Sequence, residues 1–237
     1  MSISTNIAAI QERIDVAARR AGRNSNEIAL MAVTKTHPPD TIHEAYRTGI
    51  RLFGENRVQE FAGKVSSLAD LAGMDWHMIG HLQTNKAAKA VELFGAVDSV
   101  DSVRLAEKLN SVAQAQHKKI AVLIEINIGG EQAKTGVAPE SRELKDLLQS
   151  ARRFDALMFQ GLMTVPPFAE EAEAARPYFR KLREIRYDLS KRRLPAIAMD
   201  VMSMGMSHDF EVAIEEGSTC VRLGTAIFGE RQKANSR

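Results

Sequence analysis

The segment Ile28-Ala29-Leu30-Met31-Ala32-Val33-Thr34-Lys35 is a short apolar run that ends in a lysine. A run of this length with β-branched and aliphatic side chains favours a buried β-strand. Upstream of it, residues 3–22 place isoleucine and alanine at helical spacing and end at Gly22, where a left-handed cap is easy. The sequence therefore predicts an N-terminal helix over 3–22 that leads into a first strand.

The same alternation of an apolar run and an amphipathic stretch continues along the whole chain. Seven more apolar runs lie at 50–53, 76–79, 96–100, 121–128, 156–163, 196–202 and 219–223. No Pro-rich or Gly-rich linker interrupts them, so we expect a single domain over 1–237. Eight strand and helix alternations of this kind predict an α/β fold of the (β/α)8 TIM barrel class rather than an open doubly wound sheet.

Composition limits the classes of partner. Lys and Arg total 32 against 30 Asp and Glu, and the charges are interspersed, which argues against a nucleic-acid or membrane surface. The single cysteine, Cys220, fits a reducing compartment. The N-terminus lacks a signal-peptide pattern, and no window approaches a membrane span. We therefore expect a cytoplasmic protein with a small-molecule partner, and a monomer is compatible with the pattern.

Barrels place their chemistry where strands end, and Lys35 lies at such an end. A lysine at the rim of an apolar pocket loses hydration, which favours the neutral amine that attacks carbonyl groups. A lone lysine at a strand end more often extends its amine to solvent. The reactive interpretation of Lys35 therefore depends on the residues that surround it.

Those neighbours suggest a site for a phosphate. Ser207 precedes a helical pattern, so we expect it to be an N-cap whose hydroxyl and following amides bind an anion. Gly224 and Thr225 follow the last strand, where barrels frequently hold phosphate. Arg222 would share a strand face with Gly224 and could keep a pyridine nitrogen unprotonated. The alternative is that Arg222 pairs inside the barrel with an acid such as Glu125.

Two other patterns are weak. The glycine-rich segment 129–136 lacks the glycine directly before the lysine that a nucleotide-binding loop requires. His77 and His81 have i, i+4 spacing but straddle a strand end, so we do not expect them to bind a metal together. His81 is better interpreted as a polar group near the barrel mouth.

Taken in order, these motifs resemble the pyridoxal phosphate homeostasis protein family, also described as proline synthase co-transcribed or alanine-racemase-like barrels. The matching stretches are AVTKTHP at 32–38, FGENRVQE at 53–60, WHMIGHLQTNK at 76–86, KTG at 134–136, GLMT at 161–164, SMGMSHD at 203–209 and VRLGTAIFG at 221–229. They span nearly the whole chain. Each one is weak alone, but their order makes a chance match very improbable.

The resemblance implies a barrel like the N-terminal domain of alanine racemase. It further implies that Lys35 of this chain carries pyridoxal 5′-phosphate as a Schiff base. It also implies phosphate contacts from Ser207, Gly224 and Thr225, and it places Arg222 near the ring nitrogen. Two further roles are implied less directly. Asn56 would be a pocket residue, and Lys134 would be a secondary site for cofactor exchange.

The racemases that share this barrel use a second domain that supplies an opposing tyrosine acid/base. Only 15 residues follow Arg222, and Tyr46, Tyr178 and Tyr187 all fall in helical patterns. The expected function is therefore intracellular pyridoxal phosphate (vitamin B6) homeostasis. The protein would act as a carrier or buffer without robust catalysis. Such a carrier could pass the cofactor to apo-enzymes.

Two enzymatic alternatives stay open. In a pyridoxal phosphate-dependent amino-acid racemase, Lys35 would be one base and His81 the other. In a Schiff-base aldolase, Lys35 would react with a phosphorylated sugar, because barrels with a phosphate site after strands 7 and 8 also carry that chemistry. The placement of Arg222 makes the aldolase less favoured, since a guanidinium is more useful against a pyridine nitrogen.

Overall fold

The computed structural model describes residues 2–131, 134–192, 194 and 196–230. Eight parallel strands close into a barrel in which each strand pairs with its neighbours in chain order and β8 pairs with β1. The strands are Ala29–Val33 (β1), Leu52–Glu55 (β2), Asp75–Met78 (β3), Ala96–Val100 (β4), Ile120–Glu125 (β5), Leu157–Met163 (β6), Ile197–Ser203 (β7) and Cys220–Leu223 (β8).

Helices connect the strands and cover the outside of the barrel. The α-helices are Ile3–Arg20 (α1), Pro39–Arg47 (α2), Val58–Lys64 (α3), Ala87–Leu93 (α4), Val103–Ala115 (α5), Arg142–Ser150 (α6), Arg176–Lys191 (α7), Phe210–Glu215 (α8) and Thr225–Phe228 (α9). Short 3₁₀ turns lie at Ser25–Glu27, Val65–Leu68, Thr84–Lys86, Ala151–Arg153 and Ala172–Ala175. Over the residues described above, no helix is long and apolar enough to cross a bilayer.

The structure confirms the predicted fold class, and each of the eight predicted apolar runs overlaps one of the eight strands. Strands of a parallel barrel are buried on both faces, which is why they appear as continuous apolar runs. In β4 all five residues are buried, including Asp98 and Ser99. The predicted barrel was therefore recognisable because each strand lies in or beside a short, mostly apolar run of the sequence.

Helix α1 begins where Ser2 accepts a hydrogen bond from the Thr5 amide, and it ends two residues before Gly22. It buries an apolar face that includes Ile10 and Ile14 and packs on α8 and α9. Asn6 adds a hydrogen bond from its side-chain amide to the Ile227 carbonyl over 2.8 Å. The N-terminal helix thus supports the two short helices that follow β7 and β8.

Candidate functional site

One cavity of about 600 Å³ opens at the carboxyl ends of the strands. All eight residues singled out from the sequence line it, namely Lys35, Asn56, His81, Lys134, Ser207, Arg222, Gly224 and Thr225. The carboxyl ends of parallel strands meet at one mouth of a barrel, so residues distant in sequence converge there. The structure therefore brings the predicted site residues together at one cavity.

Lys35 lies in a turn two residues after the end of β1 and is half-buried. Thr34, the residue before it, is fully buried and donates its backbone N–H to the Gly54 carbonyl over 3.0 Å. Thr36, the residue after it, has φ 66°, a left-handed conformation that is rare for a β-branched residue. Lys35 is therefore the point at which the chain leaves the barrel wall and turns sharply.

Ser207 is not the N-cap that its sequence context predicts, and this prediction is wrong. Helix α8 begins only at Phe210, and Asp209 occupies the N-cap position. Asp209 Oδ1 accepts the Met206 amide over 2.6 Å, which closes a turn across the intervening residues. Ser207 Oγ instead accepts the Ala226 amide of α9 over 3.1 Å. The serine hydroxyl thus joins the loop after β7 to the helix after β8.

The loop after β7 approaches α8 closely at Gly205. Its φ is +94°, and a Cβ there would lie 2.6 Å from the Cβ of Ala213. Gly224 and Thr225 form the start of α9 beside this loop. Two chain segments therefore bring two hydroxyl-bearing residues, Ser207 and Thr225, to the lining of the same cavity, and hydroxyl groups suit an anion.

Arg222 is 4% exposed and makes two short hydrogen bonds. Nη1 donates to Ser203 Oγ over 2.7 Å, and Nη2 donates to the Thr164 carbonyl over 2.8 Å. Burial lowers the pKa of the guanidinium, and nearby negative charges, including Glu125, act against that fall. The alternative of a hydrogen-bonded pair with Glu125 is wrong, because the guanidinium is bound by a hydroxyl and a carbonyl.

Glu125 is a buried acid on the cavity wall that the sequence suggested only as a partner of Arg222. Thr135 Oγ1 donates to its Oε1 over 2.9 Å, and its Oε2 has no hydrogen-bond partner among the described residues. Burial raises the pKa of Glu125, and the Asp101 charge adds to this effect. A carboxyl group in this setting favours its neutral form.

His81 and Lys134 lie at the outer part of the cavity. His81 is exposed, and its Nδ1 lies 3.4 Å from Asp101 Oδ2. Lys134 donates from Nζ to the Pro166 carbonyl over 3.1 Å and forms an ion pair with Glu131. Both side chains are therefore tied to loop residues at the mouth.

His77 faces away from His81 and contacts other groups. Its Nδ1 lies 3.0 Å from Asp98 Oδ1 and its Nε2 lies 3.2 Å from Asp75 Oδ2. These contacts occupy both ring nitrogens, so the spacing of the two histidines does not create a shared site. Across the portion of the chain with described coordinates, no cluster of histidine, cysteine and acidic residues could hold a metal ion.

Sequence reasoning missed Phe168 and His208, which also line the cavity. Phe168 is 83% exposed, and its ring centroid lies 6.0 Å from that of His208. Pro166 and Pro167 precede the phenylalanine and mark a loop, but nothing local in the sequence indicates that this loop reaches the mouth. An aromatic side chain therefore stands at the entrance without packing into the core.

Comparison with known proteins gives a consistent picture. The model of the family described as alanine racemase, N-terminal domain, matches residues 5–232. The chain is 45% identical over 232 residues to the pyridoxal phosphate homeostasis protein of Aquifex aeolicus (strain VF5), and the match covers 98% of this chain and 100% of the relative.

Solved structures agree with this result. PipY of Synechococcus elongatus PCC7942, solved with PLP bound, is 33% identical with a TM-score of 0.83, and the match covers 96% of this chain and 100% of PipY. Alanine racemase of Clostridium difficile 630 has a TM-score of 0.71 at 14% identity, and the match covers 99% of this chain but 58% of the racemase. That second likeness shows a shared fold alone. By sequence and fold, the chain belongs to the pyridoxal phosphate homeostasis protein family, whose barrel is that of the alanine racemase N-terminal domain.

Proposed function

We propose that this protein binds pyridoxal 5′-phosphate covalently through Lys35 and holds it as a carrier or buffer, without robust turnover of amino acids. The observation that carries the proposal is the convergence of an amine, a buried guanidinium and an anion-binding loop pair on one cavity of about 600 Å³. PipY, a relative of similar fold, was solved with PLP bound. A cytoplasmic location is part of the proposal, and the single buried cysteine, Cys220, supports it.

The residues present fit a phosphorylated pyridine aldehyde. Ser207 and Thr225 offer hydroxyl groups, and the start of α9 offers backbone amides, to a phosphate at the β7 and β8 side of the mouth. Lys35, in the turn after the neighbouring strand β1, offers an amine to the aldehyde. When bound, the cofactor supplies an aldehyde that reacts reversibly with primary amines and a ring that can withdraw electrons.

Arg222 supports storage in preference to catalysis. A guanidinium does not give up its proton in proteins, so it cannot share one with a ring nitrogen that it faces. A ring nitrogen held beside Arg222 would therefore stay unprotonated, and the ring would withdraw electrons weakly. The two hydrogen bonds from Arg222 to Ser203 and Thr164 hold the guanidinium in a fixed place below the cavity. The residue therefore suits a protein that retains an aldehyde cofactor without activating bound amino acids strongly.

The tyrosines support the same conclusion. Tyr46 lies on α2 and donates its hydroxyl to the Ala72 carbonyl over 3.0 Å, while Tyr178 and Tyr187 lie on α7. No tyrosine is among the described residues that line the cavity. An acid/base tyrosine opposite Lys35 is thus not supplied by the described part of this chain.

A racemase is the second candidate, and the contact between His81 and Asp101 favours it. A histidine beside a carboxylate is a common general base, and His81 lines the same cavity as Lys35. Incubating the cofactor-loaded protein with amino acids in deuterated water distinguishes the two functions. Deuterium at the α-carbon of both enantiomers, lost in His81→Gln, would establish the racemase. A carrier leaves the α-hydrogen in place.

The first test of the carrier is borohydride trapping after incubation with pyridoxal 5′-phosphate and dialysis, with mass mapping of the modified peptide. We expect the label on Lys35 in wild type and its loss in Lys35→Ala. Lys89→Ala is the matched control, because Lys89 is an exposed lysine paired with Glu92 and far from the cavity lining. Equal labelling of wild type and Lys35→Ala would overturn the proposed site.

A further inference from the structure

Lys64, the last residue of α3, is a buried lysine directly behind the end of β1. It is 7% exposed, and its ammonium lies close to four oxygens. These are Glu55 Oε1 at 2.7 Å, the Thr34 carbonyl at 3.0 Å, Glu60 Oε1 at 3.3 Å and the His37 carbonyl at 3.3 Å. A buried ammonium is costly unless it is paired and hydrogen-bonded. These four contacts provide the compensation that the buried charge of Lys64 requires.

The contacts of Lys64 lie on both sides of Lys35 along the chain. The Thr34 carbonyl belongs to the residue before Lys35, and the His37 carbonyl belongs to the second residue after it. Lys64 therefore ties the two ends of the short segment that carries Lys35 to one point on α3.

Two carboxylates hold the residues inside this segment. Glu60 Oε1 accepts the backbone N–H of Thr36 over 2.5 Å, and Glu55 Oε1 accepts the Thr34 hydroxyl over 2.5 Å. Thr36 has φ 66°, a strained conformation for a β-branched residue that persists only where surrounding contacts enforce it. The bond from Glu60 is the contact that stabilises the strained residue next to Lys35.

We infer that Lys64 and Glu60 are positioning residues that fix the backbone of Lys35 so that its amine points into the cavity. Neither residue is among those that line the cavity, so both act through Lys35. The inference rests on the proposed function of Lys35 as the residue that takes the aldehyde. In that step the neutral amine forms a C=N bond with the aldehyde carbon, and the aldehyde oxygen leaves as water with the two amine protons.

This role makes a selective prediction about two ligands. The proposed phosphate and ring contacts come from Arg222 on β8 and from the loops after β7 and β8, whereas Lys64 and Glu60 contact each other, Glu55 on β2 and the segment after β1. Loss of either residue should therefore slow capture of pyridoxal 5′-phosphate by Lys35. Binding of 4-deoxypyridoxine 5′-phosphate, which has the phosphate and ring but no aldehyde, should not change.

The experiment compares Glu60→Ala and Lys64→Met with wild type by stopped-flow absorbance, borohydride trapping and competition with the deoxy analogue. We expect capture to be about 10–100-fold slower in both variants, the size of effect that a misplacement near 1 Å produces. Lys118→Met is the matched control, because Lys118 Nζ also donates to two backbone carbonyls, Val91 and Glu92 at 3.0 Å each, outside the cavity lining. It should capture the aldehyde at the wild-type rate.

Glu60→Gln adds a rescue, since its amide oxygen can still accept the Thr36 N–H, and it should recover most of the wild-type rate. Glu60 is partly exposed, so its variants keep the test valid if Lys64→Met unfolds. Equal weakening of both ligands, or unchanged capture in Glu60→Ala, would overturn the inference. If the wild-type protein fails to trap the aldehyde on Lys35, the proposed function itself is overturned. The two outcomes therefore distinguish failure of the positioning role from failure of the proposed function.

Discussion

Arg222 Nη1 lies 2.7 Å from Ser203 Oγ, and this hydrogen bond joins β8 to β7 directly below the cavity. The second bond, from Nη2 to the Thr164 carbonyl, extends the connection to the chain just after β6. One guanidinium therefore holds three consecutive strand ends together. The residue has a structural role in addition to the one it would have toward a ring nitrogen.

Arg222→Met should destabilise the protein by about 3 kcal/mol or more, because removing one member of a buried charged network leaves its partners unsatisfied. The measurement is urea unfolding of cofactor-free protein. Arg142→Met is the matched control, since the Arg142 pair with Asp146 is solvent-exposed and should be worth at most about 1 kcal/mol. Similar losses for the two variants would show that Arg222 stabilises no more than a surface arginine.

The hydroxyl groups at the proposed phosphate end can be tested with the double variant Ser207→Ala, Thr225→Val. We expect it to bind pyridoxal 5′-phosphate about tenfold or more weakly, since each lost hydrogen bond to a charged group contributes about 1 kcal/mol or more. Capture of pyridoxal, which has the aldehyde but no phosphate, should be unchanged. A parallel loss for both ligands would mean that these residues shape the whole cavity and do not select the phosphate.

Strand β6 has an irregular register with β7 at Gly161, and this glycine has no room for a side chain. Its φ is +157°, and a Cβ would lie 1.9 Å from the Val201 carbonyl oxygen. Gly161→Ala should therefore separate β6 from β7. It should either prevent folding or lower the free energy of unfolding by about 3 kcal/mol or more. Differential scanning calorimetry or expression in the soluble fraction would measure this.

Gly63→Ala is the control for that variant, because Gly63 lies in α3 and a Cβ at this position would meet no atom within 4 Å. Alanine is the better helix former by about 0.5–1 kcal/mol, so this variant should be slightly more stable than wild type. If both glycines tolerate alanine, the steric explanation of the β6 irregularity is wrong.

Much of the site could be predicted because its residues lie within a few positions of strand ends. Lys35, Arg222 and Thr225 are linked to apolar runs that the sequence displays plainly. Once the barrel is recognised, its topology places those ends at one mouth. Predicting the candidate site therefore required the order of the strands along the chain, and it did not require knowledge of how the side chains pack.

The network behind Lys35 could not be predicted in this way. Glu60 and Lys64 have i, i+4 spacing, which on sequence alone indicates an ordinary exposed pair on a helix. The ammonium of Lys64 also pairs with the buried Glu55 on β2, a different element, and such a contact has no local signature in the sequence. The N-cap prediction for Ser207 was wrong for a related reason, because Asp209 competes for the turn that the serine was expected to cap.

The contact between His77 and Asp98 predicts a pH dependence of stability. Burial by itself would lower the pKa of His77, but the Asp98 charge and the hydrogen bonds with Asp75 and Asp98 raise it to about 10, from an ordinary value of 6.5. A raised pKa in the folded state means that the stabilisation is complete below pH 6.5 and is lost as the pH rises toward 10. Its size is on the order of 5 kcal/mol, since each unit of pKa change corresponds to about 1.4 kcal/mol.

Asp98→Asn tests this contribution, since it removes the charge that keeps His77 protonated while preserving the shape of the side chain. Urea unfolding should show the largest difference from wild type near pH 6.5 and a shrinking difference as the pH approaches 10. Asp155→Asn, in the turn before β6 and outside any described ion pair, controls for loss of an aspartate charge. A difference between wild type and Asp98→Asn that stays constant across this range would mean that His77 is not the group that titrates, because only a change in its protonation makes the contribution of Asp98 depend on pH.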